Sequence, residues 1–351
     1  MTLDNSPIVR EGQLLERAIF VGGLGGCGKT MLTAIIGGFD RVEIQKYNYV
    51  IENICTLHRL GKVGDDVAFA MIRMQTDLDI YNMMMSRETN FRFSDLSSVF
   101  KNPGKWRYFR RLFQAGDDAI VDRVKNERPI LHITFHDLLQ HSHPLLKALG
   151  EKARLLELVR HPLYMIKQWY KNVEQFYDNT FNPREFSIRF LYKQNSLPWF
   201  VSGWEEEYLK ITNKMDRVIY MMRHHIEESK RCYEALSENE KKQVMIISFE
   251  NFVKNPWADL EKLEHFLDSK VTKRTLKELK RQNIPRKMLA DGINLKVYRK
   301  YGWKPSDKRL GEAGELQERR NFAEERASSE GMRVLDAMSA NYEKEYFDRK
   351  I

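Results

Sequence analysis

Eight residues near the start of the chain carry the clearest chemistry. Gly23-Leu-Gly25-Gly26-Cys27-Gly28-Lys29-Thr30 fits the pattern G-x-x-x-x-G-K-[ST]. Glycines at this spacing let successive backbone N–H groups turn toward a single anion. A helix that starts directly behind them adds roughly half a positive charge, and Lys29 adds a full one. This combination serves the phosphate chain of a nucleotide. Taken alone it suggests ATP or GTP, with the Thr30 hydroxyl on magnesium. Cys27 reads as a small filler in the loop rather than a reactive thiol.

A second group of candidates lies past residue 130. His136 follows an apolar run, Ile130 to Phe135, and so stands where a strand ends. Open parallel sheets place their ligands at that end of the strands, which makes His136 a candidate general base. Asp137 is next to it, to orient or replace it. His132, His136, His141 and His143 are close in sequence. On a strand, however, His132 and His136 would stand about 13 Å apart, too far to share one metal ion. Arg160 ends another apolar run, and its planar fork suits a phosphate.

These residues need a scaffold. Ala18 to Gly22 reads as a buried strand, and Lys29 to Gly37 as a helix with Met31, Leu32, Ile35 and Ile36 at helical spacing. Further strands are expected at 129–135, 154–159 and 244–249. Helices are expected at 144–149, 163–177, 215–236 and 257–267, with one surface helix over 321–347. Strands that alternate with helices imply an α/β fold, a three-layer sandwich around a central parallel sheet. The segments 45–125 and 170–240, read as mainly helical, are expected to form a cap over the carboxyl ends of the strands. Met83 to Met85 read as gap-filling core. Residues 305–351 read as a C-terminal helical extension, and the whole of 1–351 as one domain.

Composition narrows the class. The 351 residues carry 58 basic and 49 acidic side chains, a net charge of +9. That excess is spread along the chain. It suits an anionic ligand or an acidic acceptor and does not mark a nucleic-acid-binding tail. The three cysteines, Cys27, Cys55 and Cys232, are far apart and odd in number, so neither a disulfide framework nor a metal site is expected. A reducing compartment follows. Residues 1–13 lack a signal-peptide core, and no run approaches the roughly 20 apolar residues of a membrane span. The expectation is a cytoplasmic protein with no membrane span.

Three segments resemble the sulfotransferases that use 3′-phosphoadenosine 5′-phosphosulfate (PAPS). Val21-Gly-Gly23 through Gly28, Thr30 and Met31 is similar to that family's V-G-G-x-x-R-S-G-T-T-L loop. Leu156-Glu-Leu-Val-Arg160-His-Pro162, followed by a helix, is similar to its L-V-R-D-P-x-D-V segment. Val244 to Pro256, with Leu260 and Phe266-Leu267, is similar to V-x-x-x-x-Y-E-D-x-x-x-D-P…L…F-L. A fourth match is Arg299-Lys300-Tyr-Gly302-Trp303-Lys304, similar to a late R-K-G…W-K element.

The resemblance implies a phosphate-loop fold and sulfuryl transfer from PAPS to a hydroxyl acceptor, with no metal required. It puts Gly23, Gly25, Gly26, Cys27, Gly28, Lys29 and Thr30 on the 5′-phosphosulfate, and Arg160, Gln168, Arg299 and Lys300 at the 3′-phosphate. It also supports His136 as the base, since Thr134-Phe135-His136 stands where the cytosolic branch has K-T-H. Lys29 joins His136 in the catalytic set as the cation facing the transferred group. Two positions depart from the pattern: Gly26 replaces the usual Arg or Lys, and Gln168 replaces a serine. Because Lys29-Thr30 is the kinase form of the loop, an ATP/Mg-dependent kinase and a non-catalytic nucleotide-binding module stay open as alternatives.

Overall fold

The computed structural model describes residues 6–95, 97–102, 104–177, 182–183, 185–293, 299, 304, 307 and 309–347. Its strands are β1 (Arg17–Gly22), β2 (Lys46–Tyr47), β3 (Ile130–Thr134), β4 (Ala153–Val159), β5 (Arg189–Tyr192), β6 (Asn195–Pro198) and β7 (Val244–Ser248). β1, β3, β4 and β7 fall where the apolar runs place them. β2 is two residues long, too short for any sequence pattern.

Five strands form one sheet in the order β2-β3-β1-β4-β7, parallel at every pairing. Strands buried on both faces must be apolar on both faces, and Ala18 to Val21 are all fully buried. The described helices are α1 (Lys29–Ile36), α2 (Tyr49–Arg59), α3 (Asp65–Met84), α4 (Lys105–Arg111), α5 (Asp118–Glu127), α6 (Ser142–Leu149), α7 (Pro162–Asn172), α8 (Glu205–Lys210), α9 (Lys214–Glu234), α10 (Glu238–Lys241), α11 (Phe249–Lys254), α12 (Trp257–Leu267), α13 (Lys273–Arg281), α14 (Gly311–Glu324) and α15 (Ser329–Tyr346).

Two apolar clusters show the layers. On one face Ile19, Val21, Leu156 and Leu158 pack with Leu32 and Ile36 of α1, Ile166 of α7 and Met222 of α9. On the other, Phe20, Leu131, Ile133 and Leu155 pack with Ile51 of α2, Ile72 and Ile80 of α3 and Leu145 of α6. The result is a three-layer α/β sandwich.

Three expectations change. The segment 45–125 is not simply a cap: α2 and α3 are a face layer of the sandwich, because their apolar stripes match the exposed face of β1 and β3. The segment 170–240 is not wholly helical. It contains β5 and β6, an antiparallel hairpin whose turn residues Lys193 and Gln194 both have positive φ, the geometry that tight hairpins favour. The single helix expected over 321–347 is two. α15 starts afresh because the Ser328 side chain accepts from Gly331 N–H at 3.0 Å, while Ser328 N–H is held by Asp216 Oδ1 at 2.9 Å.

Candidate functional site

The loop between β1 and α1 is shaped by its glycines. Gly28, at the helix start, has φ +102, and a Cβ there would lie 2.5 Å from the Phe249 ring. Only glycine fits both constraints. Gly26 has φ +87. Two loop carbonyls are taken from the α7 side: Trp169 Nε1 donates to Gly25 O at 2.8 Å, and Arg160 Nη1 to Gly26 O at 2.9 Å. Among the described residues, the N–H groups of Gly26, Gly28 and Thr30 have no protein acceptor. With carbonyls engaged and amides unspent, the loop favours an anion. Lys29, 8% exposed, donates from Nζ to Gly23 O at 2.9 Å. Thr30 is half-buried on the first turn of α1. The Cys27 side chain is buried behind the loop, where desolvation pushes its thiol up to about 11.

Arg160 leaves the end of β4 and brings unspent donors to the loop's flank. Its Nε is buried and unpartnered, and the Tyr164 hydroxyl one turn along α7 is also buried and unpartnered. The Arg160 guanidinium lies 4.0 Å from the Phe249 ring centre and 5.2 Å from that of Tyr164. Arg319 of α14 lies 4.6 Å from the Tyr164 ring centre. Burial and then the charge of Arg160 lower the Arg319 pKa. Glu315, one turn before Arg319, is raised toward its neutral form by burial. Glu250 Oε1 stands 4.0 Å from Arg160 Nε and offsets part of its charge; two cations beside unpaired donors still make a second place for an anion. Gln168 follows on the same face of α7 and packs on Gly26, where an added Cβ would be 3.0 Å from its Oε1.

The segment after β3 lies against the start of the loop. Phe135 N–H donates to Val21 O at 2.9 Å, and a Cβ on Gly22 would lie 2.2 Å from Leu138 Cβ. His136 therefore stands beside the glycine-rich loop. Its orienting partner is Glu52 of α2, not Asp137. Glu52 Oε1 accepts from His136 N–H at 2.8 Å and lies 3.0 Å from Nδ1. The ring of Tyr47 stacks on His136, centres 5.9 Å apart. Asp137 instead pairs with His225, Nδ1 to Oδ1 3.2 Å. Burial opposes ionisation of Asp137, but His225 and Lys29 outweigh it and hold the carboxyl well below the usual range. His225 is 1% exposed, so it is a buried partner rather than a surface residue of α9.

Sequence reading passed over Glu157. It sits in β4 beside Gly22 of β1 and is 3% exposed, with Oε2 unpartnered. Burial raises its carboxyl to about 8; Lys29 opposes this and Asp137 adds to it. A signal was present, since one carboxylate interrupts the run Leu155-Leu-Glu-Leu-Val159. Glu52, 84 residues from His136, gave no such signal, and neither did Arg319 or Tyr164.

Arg299 is exposed, and Lys300 lies outside the described residues. Among the described residues, no group of three or more His, Cys, Asp or Glu is arranged to hold a metal ion. No helix among them is long and apolar enough to cross a membrane.

No protein-family model and no curated protein matches this sequence. Solved structures do match. One is the sulfotransferase domain from the curacin biosynthetic pathway, at 14% identity over 93% of this chain and 98% of that one, TM-score 0.46. Another is the sulfotransferase domain of the Synechococcus PCC 7002 olefin synthase, at 14% identity over 90% and 97%, TM-score 0.42. A sulfotransferase from Mycobacterium avium matches at 13% identity over 95% and 77%, TM-score 0.40. The chain is thus similar, at low identity, to structures of sulfotransferases.

Proposed function

We propose that this protein is a PAPS-dependent sulfotransferase acting on a hydroxyl acceptor. One observation carries the reading. Arg160 bonds the phosphate loop at Gly26 O while its Nε and the neighbouring Tyr164 hydroxyl stay buried and unspent. A loop that only gripped a triphosphate would not need a second anion site built onto its flank. A nucleotide with a phosphate on its ribose would.

The residues present fit such a donor, which when bound supplies the sulfuryl group and a bisphosphate leaving group. The loop amides, the start of α1 and Lys29 would hold its 5′ end. Arg160 and Tyr164 would hold the 3′-phosphate. The Glu52 carboxylate takes Nδ1–H of His136, which leaves Nε2 as the nitrogen to accept the acceptor's proton. Lys29 is placed to offset negative charge as the bond to the leaving group breaks. The free cysteines suit a reducing compartment, so we place the protein in the cytoplasm. The competing ATP/Mg kinase reading rests on Lys29-Thr30. It needs a metal-holding aspartate, and Asp137 is committed to His225.

Calorimetric titration with adenosine 3′,5′-bisphosphate, with and without magnesium, tests the assignment. Magnesium-independent binding that disappears in Arg160→Ala is the expected result. Binding of ATP only with magnesium, and no response to the bisphosphate, would overturn it.

A further inference from the structure

The stretch from Ser86 to Phe113 differs from the rest of the chain. It holds seven basic residues against two acidic ones, a net +5 of the chain's +9, so the basic excess is not spread evenly as expected above. It is also crowded with aromatic side chains, several of which lie outside the core. The rings of Phe91, Phe93, Phe100, Phe109 and Trp106 touch in one continuous cluster. Centre separations are 6.2 Å for Phe91–Phe100, 5.6 Å for Phe93–Phe100, 5.9 Å for Phe100–Phe109 and 5.7 Å for Trp106–Phe109. Phe93 and Trp106 are each 73% exposed, and Phe113, just beyond, is 90% exposed. Large rings gathered into an exposed patch mark a contact surface.

The platform beneath is fixed. Tyr108 is fully buried, and its hydroxyl accepts from Ile44 N–H at 2.5 Å. Arg111 grips Glu43 through both nitrogens, at 2.8 and 2.9 Å. The outward rings therefore cannot be hidden by turning the segment over. Basic side chains rim them. Arg92 is 3.1 Å from Asp95. Lys105 lies 5.5 Å from the Trp106 ring centre, and Lys101 donates to Ser94 O. Lys101, Lys105 and Arg110 have no carboxylate partner among the described residues.

We propose that this patch docks the protein on an anionic lipid bilayer as a peripheral contact. Exposed Phe and Trp rings enter the headgroup and acyl boundary, and the basic rim meets the negative headgroups. Lysine and arginine stems lie along apolar surface while their charges stay in the aqueous layer. A second copy of this chain is the poorer occupant, because its own basic rim would face this one. The docking does not depend on the reaction proposed above.

The full chain is sedimented with vesicles of phosphatidylcholine alone and of phosphatidylcholine mixed with phosphatidylserine. The expected result is binding to the mixed vesicles that weakens as salt is raised. Two variants are compared: Phe93→Ser/Trp106→Ser/Phe113→Ser for the rings and Lys101→Glu/Arg110→Glu for the rim. Each should lower partitioning by about tenfold or more, with unchanged circular dichroism and unchanged bisphosphate binding. Equal sedimentation with both vesicle types, or with neither, overturns the proposal. So does a ring variant that sediments like the wild type, and so does a wild-type dimer that the ring variant abolishes.

Discussion

Glu157→Gln tests the electrostatics beneath the glycine-rich loop. In the native protein this carboxyl is buried in β4 beside Gly22, and burial raises it to about 8 from a reference of 4.5. Between those values the native state holds a proton that the unfolded chain has lost. Stability linked to this group is therefore fully present below about 4.5 and is lost as pH rises toward 8. The slope is about 1.4 kcal/mol per pH unit for one proton, so roughly 4 kcal/mol disappears between pH 5 and 8. Glutamine keeps the shape of the neutral acid and does not titrate. Urea unfolding of both proteins across that range should show the difference moving in favour of the variant by roughly that amount. Two stability curves that stay parallel would refute the reasoning. A functional readout accompanies it. The neutral carboxyl leaves the charge of Lys29 free for phosphate; above pH 8 the carboxylate competes for it. Bisphosphate affinity should fall there in the wild type but not in Glu157→Gln.

Other outcomes follow from the same geometry. Arg160→Ala should weaken adenosine 3′,5′-bisphosphate by about 100-fold in calorimetry, since it removes charge-assisted bonds at a partly buried site. Glu52→Gln should lower kcat by about tenfold with little change in the donor's KM, because it frees the ring of His136 without touching the loop; an unchanged kcat would remove His136 from the base role. Cys27, buried and raised to about 11, should resist iodoacetamide at pH 8 until the protein is unfolded, as read by mass spectrometry. Gly26→Arg should lose donor affinity, and adding Gln168→Ser should restore part of it, with a coupling of about 1–3 kcal/mol in a double-mutant cycle.

The parts legible in the sequence were those fixed by local pattern. β1, β3, β4 and β7 are short apolar runs with turn residues at their ends, and the loop at Gly23 to Thr30 is defined by glycine and lysine spacing alone. Arg160 was legible because it ends such a run. Illegible were the pairings made by distant folding. Nothing near His136 points to Glu52, which reaches it only because β2 sets α2 beside the end of β3. Asp137 looked like the orienting residue because it is adjacent in sequence, yet a residue after a strand turns away from its neighbour, and α9 carries His225 to it. The 321–347 helix failed as one unit because its periodicity continues across a break that Asp216, far away in sequence, stabilises.

Gly26 and Gln168 look like two separate departures from the sulfotransferase pattern, but in three dimensions they are one. A side chain at position 26 would begin 3.0 Å from Gln168 Oε1, so a long residue on α7 and a bare glycine in the loop require each other. The cation usual at that position then has to come from elsewhere. Under the proposed function Lys29 would supply it three residues later, at the first residue of α1 and almost fully buried, where its charge adds to that of the helix start. Moving the charge inward brings it under the influence of Glu157, which a cation on the rim of the loop would escape. The kinase-like appearance of Gly28-Lys29-Thr30 can thus arise from repacking between the loop and α7, with no change in the kind of nucleotide held. Under the proposed function, the choice between ATP and a 3′-phosphorylated nucleotide would fall to what stands beside the loop, namely Arg160 and the unspent Tyr164 hydroxyl.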